Sequence, residues 1–137
     1  MISTTKTSAV VMAALFALPV SVEIPQAARD ARVVILGEQH DNPDHHIRQA
    51  EWVAALEPVA LVFEMLTPTQ AARADVDWAS QADLDAAIGW TGGDWPSFDM
   101  YFPIFAAAPD AAIYGAGVPR DLLRAQMETP LAQHPLA

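Results

Sequence analysis

At 137 residues the chain has room for one domain and not for two. A hydrophobic content of 53% excludes a disordered chain, and the 18% of charged residues interrupts it too often for a multi-span membrane protein. Seventeen Asp and Glu against seven Lys and Arg give a net charge of −10, which repels nucleic acid and anionic lipid. The lack of cysteine excludes disulfides, thiolate metal sites and an acylated N-terminal Cys.

The first stretch is distinct in character. Lys6 and the free amine precede an almost uninterrupted apolar run from Ala9 to Val22. About 14 residues is short of the roughly 20 that span a bilayer, and suits the apolar region of a signal peptide. Residues 1–28 are therefore expected to be a signal peptide, or else an N-terminal apolar helix. The signal reading sends the protein to the periplasm or outside the cell, and without Cys it does not arrive as a lipoprotein. Residues 29–127 are expected to form the folded domain, with 128–137 as a tail.

Within the domain, Ala31 to Leu36 is a β-branched run without polar alternation, which predicts a strand covered on both faces. Asn42 and Pro43 supply an N-cap and an N1 proline, so a helix is predicted from Pro43 to about Glu57. Val59 to Phe63 is a second apolar strand, and a βαβ unit of this length is parallel. Thr67-Pro68 opens a helical stretch through Ala74, and Ser80 caps another over Ala82 to Ile88. A loop at 92–96 leads to an aromatic helix beginning at Ser97, in which Pro103 predicts a break or kink. Ala111 to Val118 is the third predicted strand, and Pro119 to Met127 the last helix. The pattern is that of an α/β fold, three layers (αβα) around a short parallel sheet with about three strands visible.

In such sheets ligands bind at the carboxyl ends of the strands. The first predicted strand ends in Gly37-Glu38-Gln39-His40-Asp41-Asn42-Pro43-Asp44-His45-His46, which gathers three of the four histidines beside a carboxylate. Glu38 and His40 are two apart, so in an extended segment they point the same way. Imidazole with carboxylate suits divalent metals, and imidazole is also a common axial ligand of haem iron. The competing readings are that Glu38 bonds backbone amides and that His45 and His46 are exposed helix residues. Glu64 closes the second strand, where an unpaired charge is costly; it is either functional or bridged to Arg120 or Arg48. Arg120 follows the glycines at 115 and 117 and can hold a carboxylate or propionate. Tyr101 and Trp95 either wall the crevice or belong to the core. No GxGxxG, Walker A, GxSxG or HExxH motif is present.

Leu36-Gly37-Glu38-Gln39-His40-Asp41-Asn42, with His45, His46 and Gln49, then Val62 to Leu66, Trp95-Pro96 with Tyr101, and Gly115 to Arg120, resemble the ordered blocks of the ChaN-like haem-binding uptake family of the Tiki superfamily. The resemblance implies an envelope protein that binds haem and takes part in iron uptake. His40, His45, His46 and Tyr101 are then candidate axial ligands, and Arg120 or Arg48 partners of the propionates. It also implies contact with outer-membrane or periplasmic iron-uptake proteins, and a homodimer through an exposed sheet edge is expected on physical grounds. The alternative, from the wider superfamily, is a metal-dependent hydrolase in which Glu38, His40 and Glu64 hold manganese, cobalt or zinc. Members of the family are longer, so the resemblance implies the N-terminal part of a larger domain. No second GxxH is present to complete a catalytic metal centre.

Overall fold

A computed structural model describes residues 23–74 and 78–128. The whole apolar run from Ala9 to Val22 and all of the tail after Glu128, with His134, lie outside the described residues. Among the described residues, six helices and two strands follow in the order α1 (Gln26–Arg29), α2 (Pro43–Leu56), β1 (Ala60–Phe63), α3 (Pro68–Ala74), α4 (Gln81–Ile88), α5 (Phe98–Ala106), β2 (Ala112–Gly115) and α6 (Arg120–Glu128). This is the expected α/β class. β1 and β2 pair in parallel, Ala60 opposite Ala112 through Phe63 opposite Gly115, and the chain between them crosses over through α3, α4 and α5.

Local chemistry sets the helix ends. The Asn42 side chain accepts from the Asp44 amide at 3.0 Å, and Ser80 and Ser97 accept from the amides of Asp83 and Asp99. α2 ends at Leu56, where Glu57 takes a left-handed conformation (φ 47°) and Pro58 prevents continuation. Of the break or kink predicted at Pro103, no break occurs: α5 runs through it as one helix. Proline strips a donor from the carbonyl four residues back, that of Asp99, an exposed residue in the first turn. The buried set Phe98, Tyr101, Ile104 and Phe105 keeps the segment in place.

The predicted first strand is the main difference. Residues 31–36 run outside the sheet, so two strands form where three were expected. Burial in this segment alternates: Val34, Leu36, Glu38 and His40 are partly covered, while Val33 and Ile35 are 77% and 90% exposed. The β-branched run fixes an extended backbone, but no described element covers its second face. β-propensity reflects fit to a covered, pleated surface more than an intrinsic preference, so it cannot by itself supply a pairing partner.

The core lies on the side of the sheet that carries Leu61 and Phe63. Phe63 stacks on Phe105 of α5, centroids 4.2 Å apart and planes within 6°. α5 also packs along α2, and this contact brings the start of α2 against the aromatic helix. Behind the strand ends, the Ala116 amide donates to the Phe63 carbonyl (2.9 Å) and the Gly117 amide to that of Leu66 (2.7 Å). A Cβ at Gly115 would collide with the Leu66 and Thr67 carbonyls, so only glycine lets the two strand ends close together.

Candidate functional site

The site forms where the extended segment 37–40 passes between the start of α2 and the middle of α5. Extended geometry turns Glu38 and His40 to the same side, as their spacing predicts, and His40 Nδ1 lies 2.7 Å from Glu38 Oε1. From α5, 63 positions along the chain, the Tyr101 hydroxyl donates to the same carboxylate oxygen at 2.8 Å. From α2, His46 Nε2 stands 3.4 Å from Glu38 Oε2. The carboxylate is the hub of three elements.

Burial alone would raise the Glu38 pKa; hydrogen bonds from His40, Tyr101 and Gln49 and the field of His46 outweigh it and hold the group below the ordinary carboxylate range. Glu38 is therefore ionised at neutral pH and can only accept. The proton between it and His40 belongs to Nδ1, which leaves Nε2 of a neutral imidazole with its lone pair free. No hydrogen bond engages that Nε2 among the described residues, and the His40 side chain is 40% exposed. Burial, together with the hydrogen bond to Glu38 and the charges of Glu38 and Glu64, pushes the Tyr101 hydroxyl far above its usual range, so it remains a neutral donor.

The second histidine is held differently. His46 is 1% exposed, and its Nδ1 donates to the Asn42 carbonyl at 2.8 Å, a contact that the helix N-cap geometry provides. Its Nε2 and the Oε1 of Gln49 are buried and have no hydrogen-bond partner among the described residues. Gln49 donates through Nε2 to the Leu36 carbonyl at 3.2 Å, which ties α2 to the extended segment. His45 accepts the Gln39 amide on Nδ1 at 2.9 Å and so braces the turn into α2.

Trp95 stands at the open side of the site. Its indole meets the His40 ring edge-on, centroids 4.9 Å apart at 78°, and it is 38% exposed, so it is wall more than core. Tyr101 is wholly buried between His46 and Trp90, with its polar tip spent on Glu38. Arg120 pairs with Asp94, next to Trp95, and Arg48 pairs with Glu51 within α2. Glu64 is exposed and makes no ion pair among the described residues; the competing reading, a bridge to Arg120 or Arg48, is not formed, and those arginines pair with Asp94 and Glu51.

The structure thus brings together Glu38, His40, His46 and Tyr101, with His45 beside them, while Arg120 is linked to the site only through Asp94 in the loop that carries Trp95. No group of three or more His, Asp or Glu side chains is placed to hold a metal ion among the described residues. Gln49 belongs to the blocks that carry the family resemblance, which assign it no role. Its burial at helical spacing from His46 and Val53, polar on an otherwise covered face, was the available signal. A groove of about 350 Å³ lined by Ile35, Leu36, Gly37, Arg48, Gln49 and Trp52 adjoins the site, whereas a larger one between α3 and β2 holds none of these groups.

Residues 24–135 match a family model described as haem-binding uptake, Tiki superfamily, ChaN. No curated protein and no solved structure matches the chain.

Proposed function

The chain belongs to this haem-binding uptake family of the Tiki superfamily, ChaN, and from that premise we propose that it is a haem-binding protein of the bacterial cell envelope serving haem and iron uptake, with His40 as the axial ligand. The observation that carries the assignment is the Glu38–His40 pair. A carboxylate that accepts Nδ1–H fixes the tautomer, aims Nε2 outward and raises its basicity, an arrangement repeated wherever histidine binds metals. The haem would supply an iron with an open axial position, a broad apolar face and two carboxylates. The residues fit such a group: a half-exposed imidazole with a free nitrogen, an indole beside it and cationic side chains at the rim.

Each remaining part has a task in this reading. Tyr101 and Gln49 hold Glu38 so that it can orient His40. Arg120 and Arg48 exchange Asp94 and Glu51 for the propionates, at little cost because exposed ion pairs are worth about 0–1 kcal/mol. Export past the inner membrane, through residues 1–28, brings the site to the compartment where haem arrives.

Adding hemin to the purified protein and recording the Soret band tests the proposal. The wild type should shift the band from that of free hemin. His40→Ala should abolish the shift, while His45→Ala, whose imidazole braces a turn, should keep it. A wild-type spectrum identical to free hemin rejects haem binding, and an unaltered shift in His40→Ala rejects His40 as the ligand.

A further inference from the structure

We propose that Trp95 is the specificity-determining residue of this site: its indole provides the face on which a planar aromatic macrocycle stacks when the centre of that macrocycle meets His40. The inference rests on the haem reading above and adds what would separate a macrocycle from a bare metal ion.

A metal-bound imidazole stands perpendicular to the macrocycle plane. The Trp95 indole stands at 78° to the His40 ring, so indole and macrocycle can lie close to parallel. A macrocycle is several times wider than an imidazole, and the 4.9 Å between the ring centres keeps the indole inside its footprint. Offset-stacked aromatic faces attract beyond their buried area, which a hydrated metal ion cannot exploit.

The loop that carries Trp95 is fixed rather than free to fold away. Buried Trp90 donates its Nε1–H to the Pro96 carbonyl at 2.8 Å, immediately after Trp95. The Gly93 amide returns to the Trp90 carbonyl at 3.0 Å, and Gly92 supplies the φ of 100° that this turn requires. The Thr91 amide donates to Asp85 at 2.8 Å, and Asp94 is paired with Arg120. A large aromatic that is more than one-third exposed loses apolar burial there, and the three hydrogen bonds of Trp90, Gly93 and Thr91, which do not depend on Arg120, hold it in that position.

Titrating hemin and, separately, iron-free protoporphyrin IX into wild type, Trp95→Phe and Trp95→Ala reads the role directly, through the Soret band for hemin and porphyrin fluorescence for the iron-free ring. Trp95→Ala should weaken both ligands about tenfold, and Trp95→Phe should restore most of the affinity. His40→Ala should lose the hemin shift yet keep the affinity for the iron-free ring. If Trp95→Ala binds both ligands as tightly as wild type, the stacking role is overturned, whether or not the His40-dependent shift persists. If wild type shows no hemin shift but holds the iron-free ring through Trp95, the ligation reading falls and the stacking role stands. Failure of wild type to bind the iron-free ring overturns it. Coincident thermal melts of the three proteins establish that the substitutions leave the fold intact.

Discussion

Two regions of this molecule reverse the usual partition of side chains, in opposite senses. Under the start of α2, His46, Gln49 and Tyr101 are buried, and the Glu38 carboxylate they surround is largely covered. On the other side of the sheet, Val62 and its register partner Tyr114 are 66% and 55% exposed, as are Val33 and Ile35 in the neighbouring extended segment. The first reversal is offset by hydrogen bonds aimed at one carboxylate, and it has a consequence for binding because it orients His40. The second has no such offset among the described residues. Buried polarity here marks a site, whereas exposed apolarity marks a face that carries little of the described fold's stability.

The largest effect expected from that contrast concerns Phe105. Its ring is buried against Phe63 and Phe98, so Phe105→Ala should remove about 3–5 kcal/mol of stability through lost transfer energy and the cavity left behind. Val62→Thr on the open face, one residue before Phe63, should change stability by less than about 0.5 kcal/mol. Chemical denaturation of the two variants checks both values. Comparable losses would mean that the face is covered in solution, and the contrast would disappear.

A smaller effect is expected inside the polar cluster. Tyr101→Phe keeps the packing against Trp90 and His46 but deletes the donor to Glu38, and hydrogen bonds to charged groups are worth about 1.5–3 kcal/mol. The variant should lose stability in that range. It should also weaken the His40-dependent Soret shift, because Glu38 is less firmly held. A stable variant with an unaltered shift would show that the Tyr101 hydroxyl is incidental to the site.

Much of this was legible in the sequence where a short-range rule sufficed. The N-caps at Asn42, Ser80 and Ser97 and the common direction of Glu38 and His40 follow from local geometry. Residues 31–36 were misread as a paired strand because a β-branched run specifies an extended backbone but not what lies beside it. The continuity of α5 through Pro103 goes with the exposure of Asp99 and the burial of Phe98, Tyr101, Ile104 and Phe105, neither of which is a sequence-local quantity. Tyr101 could be named as a candidate but not assigned to Glu38, because 63 residues separate them and only the α2–α5 contact brings them together. The sequence leaves Trp95 open as wall or core; its exposure goes with a loop tied down by hydrogen bonds that composition does not reveal.

The smallest effect, and the one that sharpens the contrast most, lies in the acid limb of stability. Glu38 has a folded-state pKa below its ordinary value, so its contribution is fully present above the unfolded pKa of about 4.3 and is lost as the pH falls through the folded value. Glu38→Gln keeps the shape and an acceptor for Tyr101 but cannot ionise. The variant should be less stable than wild type at neutral pH, and the two melting temperatures should converge on acidification below about pH 4. Val62→Thr neither adds nor removes an ionisable group and should follow the wild-type curve throughout. Parallel wild-type and Glu38→Gln curves would mean that the carboxylate gains nothing from its three partners in the folded state, and the buried region would then differ from the open face in packing alone.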